Sequence, residues 1–270
     1  VRSGIIFLAA PGAMAAVAVV GLVTLFLGAI IGMAKDDIKK ALAASTMSQV
    51  GYMMLGAGLG PIGWAFAIFH LLLHGVFKAL MFLGAGSVMH SMNDQVNMRR
   101  FGALRKFMKI TWLTFMAGWL AILGVMPFSG YWSKDRLIEA AFAMGDFAGT
   151  PAPWAGWVFG GVALVAAGLT SFYMSRVFFM TFSGKARWTN EMEGGPVHPH
   201  ESKPVMTVPM IILAVFALFM GGLLAINNGF VEWLQPAIGS TPHAEPVIPA
   251  IAIQLTTLAL VVGAADTKEH

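Results

Sequence analysis

Three ionisable side chains recur at every fourth position of the apolar stretch AIFHLLLHGVFKALMFL, residues 67–83. They are His70, His74 and Lys78. On an α-helix, steps of four residues drift by about 40° and rise by about 6 Å, so the three side chains would form a ladder about 12 Å long on one face. Ionisable groups in an apolar helix normally face a bundle interior or water, and they mark a path for ions or protons.

The residue types of this ladder suit proton transfer. Histidine titrates near neutrality, and burial disfavours the charged form of lysine, so each group can gain and lose a proton at working pH. The ladder therefore predicts a proton relay. Two alternatives remain open, namely a structural polar cluster and a metal site that lacks an evident third ligand in this span. Lys78 is too central in the span to snorkel to the interface.

A second unusual stretch is VMPFSGYWSKDRLIEAA, residues 125–141. Pro127 removes a backbone donor and Gly130 loosens the chain, so we predict a helix that breaks here and leaves unpaired carbonyls at membrane depth. Ionisable groups beside a broken helix are typical of ion sites in transporters, which makes Lys134 and Asp135 candidate proton carriers. The alternative is that four residues only mark the outer end of the span: Lys134, Asp135, Arg136 and Glu139.

Polar residues of the preceding apolar span could support the ladder. They are Ser45, Thr46, Ser48 and Gln49. Such side chains most often hydrogen-bond neighbouring helices, and they could also hold water between His70 and the cytoplasmic face. Asp37, at the start of this helix, is predicted to cap it rather than to carry protons.

The composition is that of an integral membrane protein. Of 270 residues, 57% are hydrophobic and 11% are charged, whereas soluble domains carry about 25% charged residues. Cysteine is absent, which excludes disulfides and cysteine-ligated metal or iron–sulfur centres in this chain. His198 and His200 could bind metal in isolation, but a solvated loop is the favoured interpretation. No other metal site is predicted.

We predict an all-α polytopic transmembrane helix bundle, a single membrane domain over residues 1–270 with seven spans, one of them broken. The predicted spans are 4–34, 41–58, 64–89, 108–145, 154–182, 205–226 and 247–265. Alternate loops then share a side, and twelve of the 17 Lys and Arg residues fall on one side, in 35–40, 90–109, 183–204 and 266–270. This basic side is predicted to be cytoplasmic. Residues 227–246, on the other side, are predicted to be an irregular connector.

Three segments carry a family resemblance. DDIKKALAASTMSQVGYMMLGAG, AIFHLLLHGVFKALMFLGAGSVMH and PFSGYWSKDRLIEAAF closely resemble the antiporter-like membrane subunits of respiratory complex I. The resemblance covers residues 20–265 and implies a fold of two inverted five-helix repeats. It also implies that the seven spans are the ninth through fifteenth of such a subunit, without the first repeat and the lateral helix.

The resemblance assigns roles to the two sites. It implies that Lys78 is the central lysine of the second half-channel, and that His70 and His74 connect it to the cytoplasmic side. It also implies that Lys134 is the terminal lysine on the broken helix and that Asp135 is the acid beside it, near the proton outlet.

The family function is proton translocation driven by quinone reduction in other subunits. The resemblance implies that this chain holds no cofactor, and that partner subunits bind NADH, FMN, iron–sulfur clusters and quinone. The implied partners are other membrane-arm subunits, especially the neighbouring antiporter-like subunit M, and the lipid of a bacterial inner membrane. Two rivals remain: a subunit of an Mrp-type cation/proton antiporter, and a structural scaffold whose polar residues only hold helices together.

Overall fold

The computed structural model describes residues 4–188 and 197–239, together with residues 253 and 261. Within these ranges the chain is a bundle of α-helices, as predicted, with one short strand pair between β1 (Asp146–Phe147) and β2 (Thr150–Pro151). The helices are α1 (Gly4–Leu8), α2 (Pro11–Ala34), α3 (Ile38–Gly58), α4 (Pro61–Ser91), α5 (Lys109–Leu123), α6 (Ser129–Phe142), α7 (Pro153–Phe182), α8 (Pro204–Ala225) and α9 (Gly229–Ile238). The predicted seventh span lies outside the described residues, apart from 253 and 261.

The long helices are those of a multi-pass membrane protein. In the part of the chain that the structure describes, four apolar stretches are long enough to cross a bilayer: α2, α4, α7 and residues 204–238, which begin with α8. Helix α3 is also 21 residues long but begins with two lysines. Helices α5 and α6, with 15 and 14 residues, are each too short to span alone. They are the two halves of the predicted broken span.

Two predicted elements differ from the structure. The first span is interrupted between α1 and α2, where Ala10 leaves the helical region with φ −130°, because the proline that follows disfavours a helical conformation there. The predicted connector at 227–246 begins with a helix, α9, whose Phe230 and Leu234 are buried. These two residues lie four positions apart, so they share the face that packs against the bundle.

Three of the four predicted basic segments meet at one end of the bundle, as the alternation of spans predicts. They are 35–40, 90–109 and the described part of 183–204, whereas 266–270 lies outside the described residues. The segment after α4 is joined to the loop between α2 and α3, because the Met98 amide donates to the Asp36 carbonyl at 2.8 Å. Beyond α7, the Arg187 amide donates to the Phe101 carbonyl at 3.2 Å. At the opposite end, Pro11 packs against Gly149. The structure therefore separates the basic loops from the other connections.

An ion-pair cluster fastens this basic end. Arg99 binds Asp36 at 2.6 Å, and Arg176, near the end of α7, forms a second ion pair with the same carboxylate. Arg176 also donates to the Met33 and Lys35 carbonyls at 3.3 Å, so it covers the end of α2. Burial raises the pKa of Asp36, but the hydrogen bonds and charges of the two arginines outweigh burial and hold that pKa below its ordinary value.

Close glycine contacts bring α2 against α3. A Cβ at Gly21 would lie 2.3 Å from the Leu55 backbone nitrogen, and one at Gly51 would lie 2.3 Å from that of Leu25. Backbones that approach this closely are typical of membrane helix pairs with small interfacial residues. This pair forms one wall beside α4, which lies between α3, α5, α6 and α8 and therefore occupies the centre of the bundle.

Candidate functional site

The histidine and lysine ladder lies on a buried face of α4. His70 is 0% exposed, His74 is 6% exposed and Lys78 is 5% exposed. The ring centroids of the two histidines are 5.9 Å apart. The side chains thus follow one another along the helix inside the bundle, as their spacing predicts. Lys78 does not snorkel, because its ammonium nitrogen is buried.

His70 is held by two other helices. Its Nε2 lies 3.0 Å from Oε1 of Gln49 on α3. Its Nδ1 lies 2.9 Å from the hydroxyl of Ser133 on α6. Since both partners are also 0% exposed, His70 is the point where α3, α4 and the second half of the broken helix are joined by buried hydrogen bonds.

His74 and Lys78 have apolar neighbours instead. The His74 ring meets the edge of Phe77 with centroids 5.3 Å apart, and the Lys78 nitrogen lies 5.9 Å from the centroid of Phe82. Among the described residues, neither Nε2 of His74 nor Nζ of Lys78 has a hydrogen-bond partner. The lack of a carboxylate partner among the described residues argues against a static ion pair at Lys78. Because a buried ammonium without a protein partner is costly, Lys78 is better explained as a group that is hydrated or that changes its proton occupancy.

The broken helix is confirmed. Helix α5 ends at Leu123, and Gly124 takes a left-handed conformation with φ +81°. Residues 125–128 separate this glycine from the start of α6 at Ser129. The Lys134 ammonium donates to the Ile122 carbonyl at 2.9 Å and to the Leu123 carbonyl at 3.0 Å. The lysine therefore satisfies two carbonyls that the break leaves without helical partners.

One detail of the predicted break was wrong. Gly130 does not loosen the chain, because it lies in the first turn of α6. A Cβ at this position would lie only 1.8 Å from the Ala121 carbonyl oxygen. Gly130 instead lets the two half-helices touch, and the conformational freedom at the break comes from Gly124, whose positive φ favours glycine.

The charged residues after the break fall into two groups. Lys134 and Asp135 are 1% and 3% exposed, and Oδ2 of Asp135 has no hydrogen-bond partner among the described residues. Arg136 and Glu139 form an ion pair at 3.0 Å, and the Arg136 side chain is 57% exposed. The first two residues therefore lie inside the bundle and do not simply mark the end of a span, whereas the second two pair with each other at its margin.

The polar residues of α3 have different partners. The Ser48 hydroxyl donates to the Leu25 carbonyl of α2 at 2.9 Å, and the Thr46 hydroxyl donates to the Leu42 carbonyl of its own helix at 3.1 Å. Asp37 caps α3, since its carboxylate accepts from the Lys39 and Lys40 amides. Ser45 is buried, and its hydroxyl has no hydrogen-bond partner among the described residues.

The loop histidines lie at the basic end, away from the ladder. The His200 ring lies 5.8 Å from the ring of His90, and its Nδ1–H donates to the His198 carbonyl at 3.0 Å. Within residues 4–188 and 197–239, no group of three or more His, Asp or Glu side chains is arranged to hold a metal ion.

Ser133 is the site residue that sequence reasoning missed. Within residues 125–141, the sequence indicates Lys134 and Asp135 as candidate proton carriers and assigns no role to Ser133. Its position one residue before Lys134 was the available signal, but the sequence does not show that this serine reaches a histidine 63 positions earlier. Gln49 was recognised as a polar membrane residue, although not as the partner of His70.

Comparisons with known proteins identify the family of this chain. Residues 1–160 match the family described as NADH:quinone oxidoreductase/Mrp antiporter, TM, and the chain belongs to this family of membrane domains. It is 54% identical over 260 residues to NADH-quinone oxidoreductase subunit L of Mycobacterium tuberculosis, a match that covers 96% of this chain and 39% of that protein. The chain thus spans well under half the length of this relative.

Two further similarities extend the comparison. The chain is 43% identical over 237 residues to NAD(P)H-quinone oxidoreductase subunit 5 of the chloroplast of Chaetosphaeridium globosum, covering 84% of this chain and 33% of the relative. A solved structure of the Mrp complex from Dietzia sp. DQ12-45-1b shares the fold with a TM-score of 0.71 at 24% identity, covering 92% of this chain and 26% of that one.

Proposed function

We propose that this chain is part of a proton-translocating membrane subunit of NADH-quinone oxidoreductase. Protons move through a buried relay made of His70, His74, Lys78, Lys134 and Asp135. The observation that carries the proposal is the hydrogen bond between His70 and Ser133, because it joins the ladder of α4 to the broken helix. The ladder of α4 and the buried Lys134–Asp135 pair, which are far apart in sequence, thereby become one site.

Electrostatics supplies the coupling. A charge that arrives in a neighbouring subunit raises or lowers the proton affinity of a buried lysine, because its field is weakly screened in an apolar surrounding. Lys78, which has no protein partner among the described residues, responds to such a field without first breaking an ion pair. The lysine then loads or releases a proton, and no redox centre is needed in this chain.

The remaining assignments follow from this function. The basic end of the bundle faces the cytoplasm, since lysine and arginine accumulate on that side of a bacterial inner membrane. The partners are other membrane-arm subunits, including the neighbouring antiporter-like subunit M, and the surrounding lipid. NADH, FMN, iron–sulfur clusters and quinone are bound by partner subunits. The proposal also treats the chain as a single domain from the second half of the family fold.

The test is a Lys78→Met variant in the intact complex. Methionine is close in length to lysine and carries no proton, so we expect proton pumping by inverted membrane vesicles to fall about tenfold or more, as removal of a proton-transfer group does. Assembly is checked by native gel electrophoresis and by NADH oxidation with ferricyanide, which bypasses the membrane arm. A Lys106→Met variant, at an exposed lysine of the basic end, is the matched control and should pump normally.

The same experiment separates the rivals. Assembled Lys78→Met complex with unchanged pumping would defeat the relay and leave only a scaffold. An Mrp-type antiporter would instead show Na⁺-dependent transport without NADH and would not co-purify with an NADH-oxidising assembly. The family description includes both classes, but the 54% identity to a quinone oxidoreductase subunit supports the first.

A further inference from the structure

Both ring nitrogens of His70 are engaged, and the two partners differ in chemistry. Nε2 faces Oε1 of Gln49 at 3.0 Å, and Nδ1 faces the hydroxyl of Ser133 at 2.9 Å. An amide oxygen only accepts hydrogen bonds, whereas a hydroxyl donates or accepts as it rotates. The two sides of the imidazole are therefore not equivalent.

With the amide oxygen of Gln49 facing Nε2, the neutral ring of His70 has one favoured tautomer. Because the Gln49 oxygen can only accept a hydrogen bond, Nε2 carries the ring proton and donates to it, and Nδ1 keeps its lone pair. The Ser133 hydroxyl then donates to Nδ1. A second proton on His70 can therefore be accommodated only at Nδ1, on the side of the broken helix, since Nε2 already holds one and Gln49 takes up none.

We propose that Ser133 is the proton-transferring hydroxyl between His70 and the helix break, and that Gln49 is the positioning residue that keeps Nδ1 as the accepting atom. This inference rests on the proposed function and adds the route by which the two buried sites exchange protons. Ser133 directly precedes Lys134, whose ammonium lies at the end of α5. The proton therefore leaves α4 through α6.

The transfer balances without a change in Ser133. The Oγ–H bond of Ser133 breaks as a new N–H bond forms at Nδ1 of His70, and the oxygen regains a hydrogen from a protonated water molecule at the helix break. His70 becomes imidazolium and Ser133 is again a neutral hydroxyl. Release of the proton reverses these steps, with the hydroxyl accepting from Nδ1 while its own hydrogen passes on.

The buried hydroxyls of Ser48 and Ser171 have partners of another kind. They donate to the backbone carbonyls of Leu25 and Ala167, which take up no proton under working conditions. Ser133, by contrast, contacts a ring nitrogen that titrates. Ser171 on α7 is 0% exposed and lies outside the proposed relay, so it provides the matched control.

The decisive variants are Ser133→Ala and Ser133→Thr in the assembled complex. Alanine is smaller than serine and fits the site, and we expect the initial rate of proton pumping to fall about tenfold, less than the roughly 100-fold effect of a full acid–base group, because water partly replaces a hydroxyl. Threonine keeps the hydroxyl and should restore most of the rate. Ser171→Ala should pump as the unchanged protein does, and each variant is compared at equal NADH–ferricyanide activity.

A second measurement tests Gln49. Infrared difference spectra with isotopically labelled histidine distinguish the two tautomers, and Gln49→Leu should shift the signal of one histidine away from the Nε2–H form and slow pumping severalfold. Gln49→Glu keeps an accepting oxygen and should preserve the Nε2–H signal. A histidine signal that does not change in Gln49→Leu would overturn the positioning role.

The outcomes separate this inference from the proposed function. If Lys78→Met stops pumping while Ser133→Ala and Ser133→Thr both pump normally, the proposed function stands and the role of Ser133 is wrong. If Lys78→Met itself pumps normally, the relay and this inference fail together. Loss of pumping in Ser133→Ala with recovery in Ser133→Thr supports both.

Discussion

Lys78 and Lys134 are both buried in the bundle, but they lie in two kinds of helix. Helix α4 is continuous from Pro61 to Ser91, so its backbone groups are paired, and Lys78 has no hydrogen-bond partner among the described residues. The helix that carries Lys134 is broken, and the ammonium binds the two carbonyls that the break exposes. The ammonium of Lys78 is thus without a protein partner among the described residues, whereas that of Lys134 helps to hold the break together.

This difference indicates a division of work between the two helices. A continuous helix presents titratable groups at a fixed spacing but offers them no backbone partner. A broken helix offers carbonyl oxygens inside the membrane, where they need a donor or water. We infer that substitutions of Lys134 affect both stability and proton transfer, whereas substitutions of Lys78 affect proton transfer alone. The predictions below test this comparison, from the largest expected effect to the smallest.

Gly130→Ala should have the largest effect. Its Cβ would meet the Ala121 carbonyl at 1.8 Å, and this contact is with backbone, which cannot rotate away. We expect the two half-helices to separate at a cost above about 4 kcal/mol, so that little assembled complex appears on a native gel. Gly75→Ala, on α4, is the control, because a Cβ there meets nothing within 4 Å. Normal assembly of Gly130→Ala would show that the break is not closely packed.

Lys134→Met should lower stability as well as pumping. It removes the donor for the Ile122 and Leu123 carbonyls, and hydrogen bonds to charged groups are worth about 1.5–3 kcal/mol each. We expect a loss of about 2–4 kcal/mol, seen as an earlier thermal unfolding of the detergent-solubilised complex. Lys78→Met should unfold at the wild-type temperature or higher, because it removes a buried charge without a partner. Equal unfolding temperatures for both variants would remove the distinction between the two lysines.

At both sites the sequence alone predicts the local features but not the partners of the side chains. The spacing of His70, His74 and Lys78 is a local pattern, and the periodicity of an α-helix converts it directly into a buried face. The break is also local, since Pro127 marks it. The partners of Lys134 and His70 are not predictable in this way, because they depend on how α3, α4, α5 and α6 pack together.

The errors have the same origin. Gly130 was read from the general flexibility of glycine, although its actual contact is with Ala121, on the other half-helix. The asparagines and prolines of 227–246 predict an irregular connector, although Phe230 and Leu234 bury a face of α9 against the bundle. In contrast, the described basic loops lie together at one end of the bundle, because the count of spans and the charge of the loops constrain this arrangement jointly. That this end is cytoplasmic stays a prediction.

Glu201→Ala should have a moderate effect at the start of the broken helix. The Glu201 carboxylate accepts from the Ile110 amide at 2.7 Å and also binds Thr111, so it serves as a cap for α5 from a distant loop. Loss of a cap typically costs about 1 kcal/mol, and thermal unfolding should begin slightly earlier than in the unchanged complex. Glu232→Ala, at an exposed position of α9, is the control. An unchanged unfolding profile for Glu201→Ala would mean that solvent caps α5 equally well.

Asp36→Asn should have the smallest effect, because it lies at the basic end and outside both helices compared above. Arg99 is 67% exposed, so its pair with Asp36 is well screened, and Arg176 keeps its two backbone carbonyls as partners. We expect a loss of no more than about 1 kcal/mol. Pumping should not change, since this cluster holds the loops together and is not part of the relay.

The pH dependence of this variant gives the sharper test. The pKa of Asp36 is held below its ordinary value, so the carboxylate stabilises the fold above the unfolded pKa of about 3.9, and this contribution is lost as the pH falls through the lower folded pKa. The difference in unfolding temperature between wild type and Asp36→Asn should therefore be constant from about pH 8 to 5 and shrink below about pH 4. Asp94→Asn, at an exposed loop position, should show no such difference. If the difference for Asp36→Asn instead grew on acidification, the two arginines would not be what holds this carboxylate ionised.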